Sequence, residues 1–139
     1  MTSTVELTKE NFDQMVSENE FVLIDFWASW CGPCRQFAPV YEQAAQDNPD
    51  LVFGKVDTEA QPELAAAFDI QSIPTLMIVR DQVAVFAQPG ALPGPVLEDL
   101  IGQARNLDMD QVRKSIADQQ EQAPQEQEQA PQEQAQQEQ

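Results

Sequence analysis

Two rhythms of apolar residues run along the chain, short continuous runs and positions spaced three or four apart. Val5-Glu6-Leu7 is a brief extended segment, after which Thr8 is placed to cap a helix carrying Phe12, Met15 and Val16 on one face. Phe21-Val22-Leu23-Ile24-Asp25-Phe26-Trp27 is apolar at every position but one, the pattern of a strand buried on both faces. Phe37, Val40, Tyr41, Ala44 and Ala45 recur at helical spacing, with Pro39 inside that helix as an expected kink. Residues 51–56 predict a strand and residues 63–68 a short helix. Thr75-Leu76-Met77-Ile78-Val79 predicts a strand that turns at Arg80-Asp81-Gln82 and returns through residues 83–87 as a hairpin. Residues 90–95 hold two glycines and two prolines and read as a loop, and Val96, Leu97, Leu100, Ile101 and Ala104 mark a last helix face. The order β-α-β-α-β-α-β-β-α predicts an α/β fold with helices on both sides of a mixed sheet.

Beyond that unit, a further helix is predicted from about Asp108 to Ala117. Asp108 serves as its N-cap, and Val112 and Ile116 form a thin apolar face. At Gln119 the composition changes abruptly. Residues 119–139 consist of eleven Gln, five Glu, three Ala and two Pro, and Ala-Pro-Gln-Glu-Gln occurs at both 123–127 and 130–134. That seven-residue period lacks an apolar seam and is broken by proline, which excludes a coiled coil. Such a segment buries too little to offset the entropy of ordering, so disorder is expected. A solvated tail and a partner-binding tail both fit this composition.

Charge narrows the partners. The chain carries 24 acidic and seven basic side chains, a formal charge of −17. Residues 1–118 hold 19 of those acids and all seven bases, so the acidity belongs to the folded part too. A surface of this sign repels phosphate backbones and anionic bilayers, so neither nucleic acid nor a membrane is an expected partner. No apolar run approaches the ~20 residues of a membrane span. Met1-Thr2-Ser3-Thr4-Val5-Glu6 lacks the basic and apolar regions of a secretory signal. A cytoplasmic, reducing location is therefore expected, where a cysteine pair serves catalysis or metal binding more often than a permanent bridge.

The two cysteines stand in Trp30-Cys31-Gly32-Pro33-Cys34. Structural zinc normally takes four Cys or His ligands, and the chain has two Cys and no His, which leaves only a site shared between two copies. A purely structural bridge across so short a loop gains little, because the gain grows with loop length. The redox reading has direct physical support. The pair follows a buried strand and opens a helix, where orphan N–H groups stabilise a thiolate at Cys31. Pro33 suits the first helical turn, and two intervening residues let Cys34 close a disulfide. Thiolate Cys31 then attacks a substrate disulfide, and Cys34 resolves the mixed disulfide.

Asp25 interrupts the most apolar strand six residues before Cys31. It either faces solvent or lies buried on the face of Phe21, Leu23 and Trp27, and burial would raise its pKa. A buried Asp25 could exchange a proton with Cys34. Lys55 is the lone base in the next strand and either pairs with Asp25 or reaches to water. Trp27 reads as a core aromatic, and Trp30, beside Cys31, reads as a groove residue. Ile73-Pro74 taken alone is a loop entering a strand.

Taken together, Phe26-Trp27-Ala28-Ser29-Trp30-Cys31-Gly32-Pro33-Cys34, Ile73-Pro74-Thr75 and Gly90-Ala91 resemble the active-site segment, cis-proline loop and last groove loop of the thioredoxin family. Asp25 and Lys55 fall at that family's buried acid and lysine. The resemblance covers roughly residues 4–105. It implies a thioredoxin fold, a central mixed five-stranded sheet flanked by four helices, with Pro74 cis against the cysteines. It implies a shallow apolar groove formed by Trp30, Gly32, Pro33, Ile73, Pro74, Thr75, Gly90 and Ala91, where backbone beside Pro74 pairs with the substrate. Asp25 would act as proton acceptor and donor. The chain departs from the family in its Asp81-Gln82 turn, in Arg35 where a lysine is common, and in everything from Asn106 onward.

The expected organisation is a thioredoxin domain over residues 1–105, an extra helix over 106–118 and a disordered tail over 119–139. The expected activity is reduction of protein disulfides through Cys31 and Cys34. The resemblance implies disulfide-containing clients and thioredoxin reductase as partners. It implies no cofactor beyond the redox disulfide, since NADPH and FAD would belong to the reductase. A monomer is expected. Two alternatives remain open: an oxidase or isomerase, and a binding subunit or holdase that uses the same groove without turnover.

Overall fold

The computed structural model describes residues 3–120. The disorder expected from Gln119 onward does not hold at residues 119 and 120, which are helical, and the rest of that expectation, residues 121–139, lies outside the described residues. The described residues divide into two units, one ending at residue 106 and the other beginning at residue 107.

The first unit is built from β1 (Val5–Glu6), α1 (Phe12–Glu18), β2 (Phe21–Trp27), α2 (Gly32–Asp47), β3 (Val52–Asp57), α3 (Pro62–Ala67), β4 (Thr75–Arg80), β5 (Val83–Pro89) and α4 (Gly94–Arg105). Five strands form one sheet in the order β1-β3-β2-β4-β5. β3 pairs in parallel with β1 and β2, and β4 pairs antiparallel with β2 and β5. The fold is the mixed, five-stranded thioredoxin fold that the apolar pattern and the motifs anticipated. β2 lies at its centre. Residues 21–26 are all buried, which is why that strand shows no polar alternation.

The two-residue period of the strands divides the core into two layers. On one face Phe21, Leu23, Phe53, Leu76 and Ile78 pack with Phe37, Tyr41 and Ala44 of α2 and Leu97 and Ile101 of α4. On the other, Val22, Ile24, Phe26, Met77 and Val79 pack with Leu7 and with Phe12 of α1. The Tyr41 hydroxyl donates to the Gly54 carbonyl at 2.7 Å, which fastens α2 to β3. A β-carbon on Gly54 would fall 2.3 Å from the Leu7 side chain, so only glycine lets Leu7 seat against β3.

Local differences from the sequence expectations have identifiable causes. Thr8 does not cap α1. Its N–H donates to Asn11 Oδ1 at 2.7 Å and its Oγ1 accepts the Asn11 N–H at 3.3 Å, closing a turn that defers the helix to Phe12. α3 starts at Pro62, whose fixed φ and missing N–H suit a first helical position. α2 is one helix with Pro39 inside it, where the sequence places it. The β4–β5 turn has φ of 51° at Asp81 and 67° at Gln82, the two positive values of a type I′ hairpin turn.

In the second unit, a helix, α5, spans residues 109–120 and so continues two positions past the composition change at Gln119. Asp108 caps it as expected: its Oδ1 accepts the Gln111 N–H at 3.2 Å and its carbonyl accepts the Val112 N–H at 3.0 Å.

Candidate active site

The C-terminal end of β2 delivers the chain into Ala28-Ser29-Trp30-Cys31, and α2 begins at the next residue. A turn closed by the Cys31 N–H on the Ala28 carbonyl, at 3.2 Å, brings Cys31 to the N-cap of α2. Its backbone is extended (φ −86°, ψ 114°), and its Sγ accepts the Cys34 N–H at 3.2 Å. Sulfur thus occupies the place of a capping oxygen, where helix-end N–H groups favour negative charge. Gly32 and Pro33 form the first helical residues, and Pro33 there forfeits no hydrogen bond. Cys31 and Cys34 are joined as a disulfide, with Cα atoms 5.2 Å apart. Both are buried and cluster with Ala28.

The segment before β4 closes over this pair. Ile73 packs on the cysteine cluster, and its carbonyl oxygen lies 3.6 Å from Cys31 Sγ. The Ile73–Pro74 peptide bond is cis. Pro74 and Thr75 are buried, and the Thr75 hydroxyl donates to the Ser72 carbonyl at 2.5 Å. The Gly90 N–H donates to the Pro74 carbonyl at 2.8 Å, which ties the loop after β5 to the proline loop. Gly90 has φ +110°, a conformation that needs glycine. Gly90, Ala91, Pro33 and Trp30 are exposed, and Gly32 and Ile73 are half-buried. The structure therefore gathers Trp30, Gly32, Pro33, Ile73, Pro74, Thr75, Gly90 and Ala91 from three separate segments around the disulfide.

Asp25 is buried, 1% exposed, which excludes the solvent-facing alternative. Neither carboxylate oxygen has a hydrogen-bond partner among the described residues. Burial pushes its pKa up to about 7, and the charge of Lys55 opposes that rise. Lys55 stands opposite Asp25 in the β2–β3 register. It forms no ion pair within 4 Å with Asp25; its Nζ lies 4.8 Å from the centroid of the Trp27 ring. The direct pairing alternative is thus replaced by a through-space attraction, with the lysine stacked on an aromatic face. Trp27 itself is half-buried beside the cysteine cluster rather than enclosed in the core. Burial, and secondarily the charge of Asp25, push the Tyr41 phenol well above its ordinary pKa. Arg35 is exposed and its Nη1 donates to the Ser29 carbonyl at 3.4 Å, which keeps a cation beside the motif.

One site residue escaped the sequence. Glu59 Oε1 accepts the Trp30 indole N–H at 2.6 Å. Asp57 could have hinted at a capped turn before α3, but no spacing rule links that turn to a tryptophan 29 positions earlier. Among the described residues, no group of three or more His, Cys, Asp or Glu is placed to hold a metal.

Comparison with known proteins gives the same answer as the geometry. The family profile described as thioredoxin matches residues 3–103. A protein of Streptomyces coelicolor assigned as a thioredoxin 2 is 80% identical over 123 residues, covering 88% of this chain and 92% of its own. Thioredoxin 1 of Synechococcus elongatus is 43% identical over 103 residues, covering 73% of this chain and 96% of its own. A mutant thioredoxin from Halobacterium salinarum superposes with a TM-score of 0.70 at 31% identity, over 76% of this chain and 95% of that one. The match runs through the cysteine motif, the cis-proline loop and most of α4, so the chain belongs to the thioredoxin family of thiol–disulfide oxidoreductases.

Proposed function

We propose that this oxidoreductase works as a reductase of protein disulfides, with Cys31 as nucleophile and Cys34 as resolving thiol. The observation that carries the assignment is Cys31 Sγ at the N-cap of α2, facing the Ile73 carbonyl at the floor of the groove. In the dithiol form, the Cys31 thiolate attacks one sulfur of a client disulfide. A mixed disulfide forms and the other client sulfur leaves as a thiolate, which takes up a proton. Cys34 then loses its proton to Asp25 and attacks Cys31. The mixed bond breaks, the second client thiolate departs, and the Cys31–Cys34 disulfide is left. Asp25 suits this exchange because a carboxyl with a pKa of about 7 is poised to take and return a proton near neutral pH. Lys55 tempers that pKa from the neighbouring strand.

The family implies disulfide clients and a reductase as partners in general. In this reading, an NADPH-dependent flavoenzyme of the thioredoxin reductase type restores the dithiol, and its flavin and nicotinamide stay with that partner. The protein acts as a cytoplasmic monomer, where a chain whose only cysteines form the working pair remains reducible.

Cysteine substitution tests the assignment. Cys31→Ser is expected to abolish client reduction. Cys34→Ser is expected to accumulate a covalent client adduct on Cys31, visible as a mass increase that a small thiol removes. Equal turnover by both variants would overturn the roles. A binding subunit that never turns over would keep its function in Cys31→Ser, so the same variant separates that alternative.

A further inference from the structure

We propose that Glu59 sets a charge preference at this groove, favouring client disulfides flanked by lysine or arginine. The inference rests on the reductase reading above and specifies which disulfides it favours. Glu59 is held in place by the segment that carries it. The Thr58 N–H and hydroxyl both donate to the Trp27 carbonyl, at 2.9 and 3.0 Å. Asp57 Oδ1 accepts the N–H groups of Glu59 and Ala60 at 3.0 and 3.4 Å, and the Asp57 carbonyl accepts the Gln61 N–H at 2.8 Å. The carboxylate is thereby mounted on the end of β2, the strand end that also launches the cysteine motif.

Trp30 precedes Cys31 and is 65% exposed. A client that brings its disulfide to Cys31 passes beside this indole, and the indole edge carries the Glu59 charge at 2.6 Å. One Glu59 oxygen is engaged by the indole N–H. The other makes no hydrogen bond among the described residues, and the residue is exposed. A cation next to the client cysteine meets that oxygen, whereas a client carboxylate meets repulsion. Two cations lie near the motif, and among the described residues neither forms an ion pair with Glu59. Arg35 is turned to the Ser29 carbonyl, Lys55 lies over Trp27, and Asp57 adds charge of the same sign.

The whole chain, at −17, also attracts cations, so the test must isolate one charge. Glu59→Gln does so, because its amide oxygen still accepts the indole N–H. Asp99→Asn removes the same charge from α4. The kcat/KM of each protein is measured at low ionic strength on two peptide disulfides that differ only in lysine or glutamate flanking the cysteines. The wild type is expected to prefer the lysine peptide. Glu59→Gln is expected to reduce that preference about three- to fivefold, through KM, and the difference is expected to fade at high salt. Asp99→Asn is expected to keep the preference. Equal reduction of both peptides by the wild type, or a preference that survives Glu59→Gln, overturns the role of Glu59 and leaves the reductase reading standing. Failure of the wild type to reduce either peptide overturns the reductase reading itself.

Discussion

A carboxyl group enclosed in the middle of a sheet lowers stability by as much as its pKa is displaced. Asp25 has a pKa of about 7 in the folded chain, against an ordinary value of 3.8. Below pH ~4 the group is protonated in both states and the pH-dependent part of its cost vanishes. As pH rises from 4 to 7, the unfolded chain releases the proton while the folded chain keeps it, so stability falls. Above pH ~7 the loss levels off, on the order of 4 kcal/mol. Asp25→Asn is therefore expected to be more stable than the wild type at pH 8, by up to that amount less the cost of a buried amide. The gain should vanish at and below pH ~4 in urea melts. The same variant is expected to prolong the lifetime of the mixed disulfide. A stability gain that does not vary with pH would remove the buried acid as its source. The sequence made Asp25 conspicuous as the one charge in an apolar run, but could not say how Lys55 relates to it. The β2–β3 register sets the two residues opposite one another, while the long lysine stem carries the ammonium onto Trp27.

At the scale of elements, legibility followed how strongly local residues dictate backbone geometry. β2 and α2 were readable because a seven-residue apolar run and a helical stripe each admit one way of being buried. Asp81-Gln82 was not. It lacks the glycine that marks a two-residue turn, yet both residues take positive φ. The pairing of β4 with β5 dictates that conformation, since a turn of this hand matches the twist of the strands. An L-residue in the left-handed region costs about 1–2 kcal/mol, and glycine returns about 0.5–1 of that through its greater freedom when unfolded. Gln82→Gly is thus expected to stabilise the protein by about 0.5–1 kcal/mol, read as a higher denaturation midpoint with unchanged slope. No gain would mean that the hairpin holds Gln82 there without strain. The start of α1 shifted for a similar reason: Thr8 and Asn11 satisfy one another and defer the helix, a choice that composition alone leaves balanced.

At the scale of the molecule, every group assigned to the exchange lies between residues 25 and 91, inside the unit that ends at residue 106. Deletion of residues 121–139 is accordingly expected to leave kcat/KM for a small peptide disulfide within about twofold, since no group of the site is removed. A large loss with folding preserved, checked by circular dichroism, would give that segment a part in catalysis. By itself, the sequence determined the α/β fold, the central buried strand and the cysteine pair at a helix start, while the groove residues entered only as what the family resemblance implies. The first three are written in neighbouring positions, as apolar period, helix-end chemistry or a short contiguous motif. Tertiary structure alone decided that Asp25 has no hydrogen-bond partner among the described residues, that Lys55 stacks on Trp27, that Ile73 meets Cys31, and that Glu59 grips Trp30. Those relations join residues that only strand pairing and loop packing bring within reach, and the energy that selects them comes from contacts no local pattern encodes.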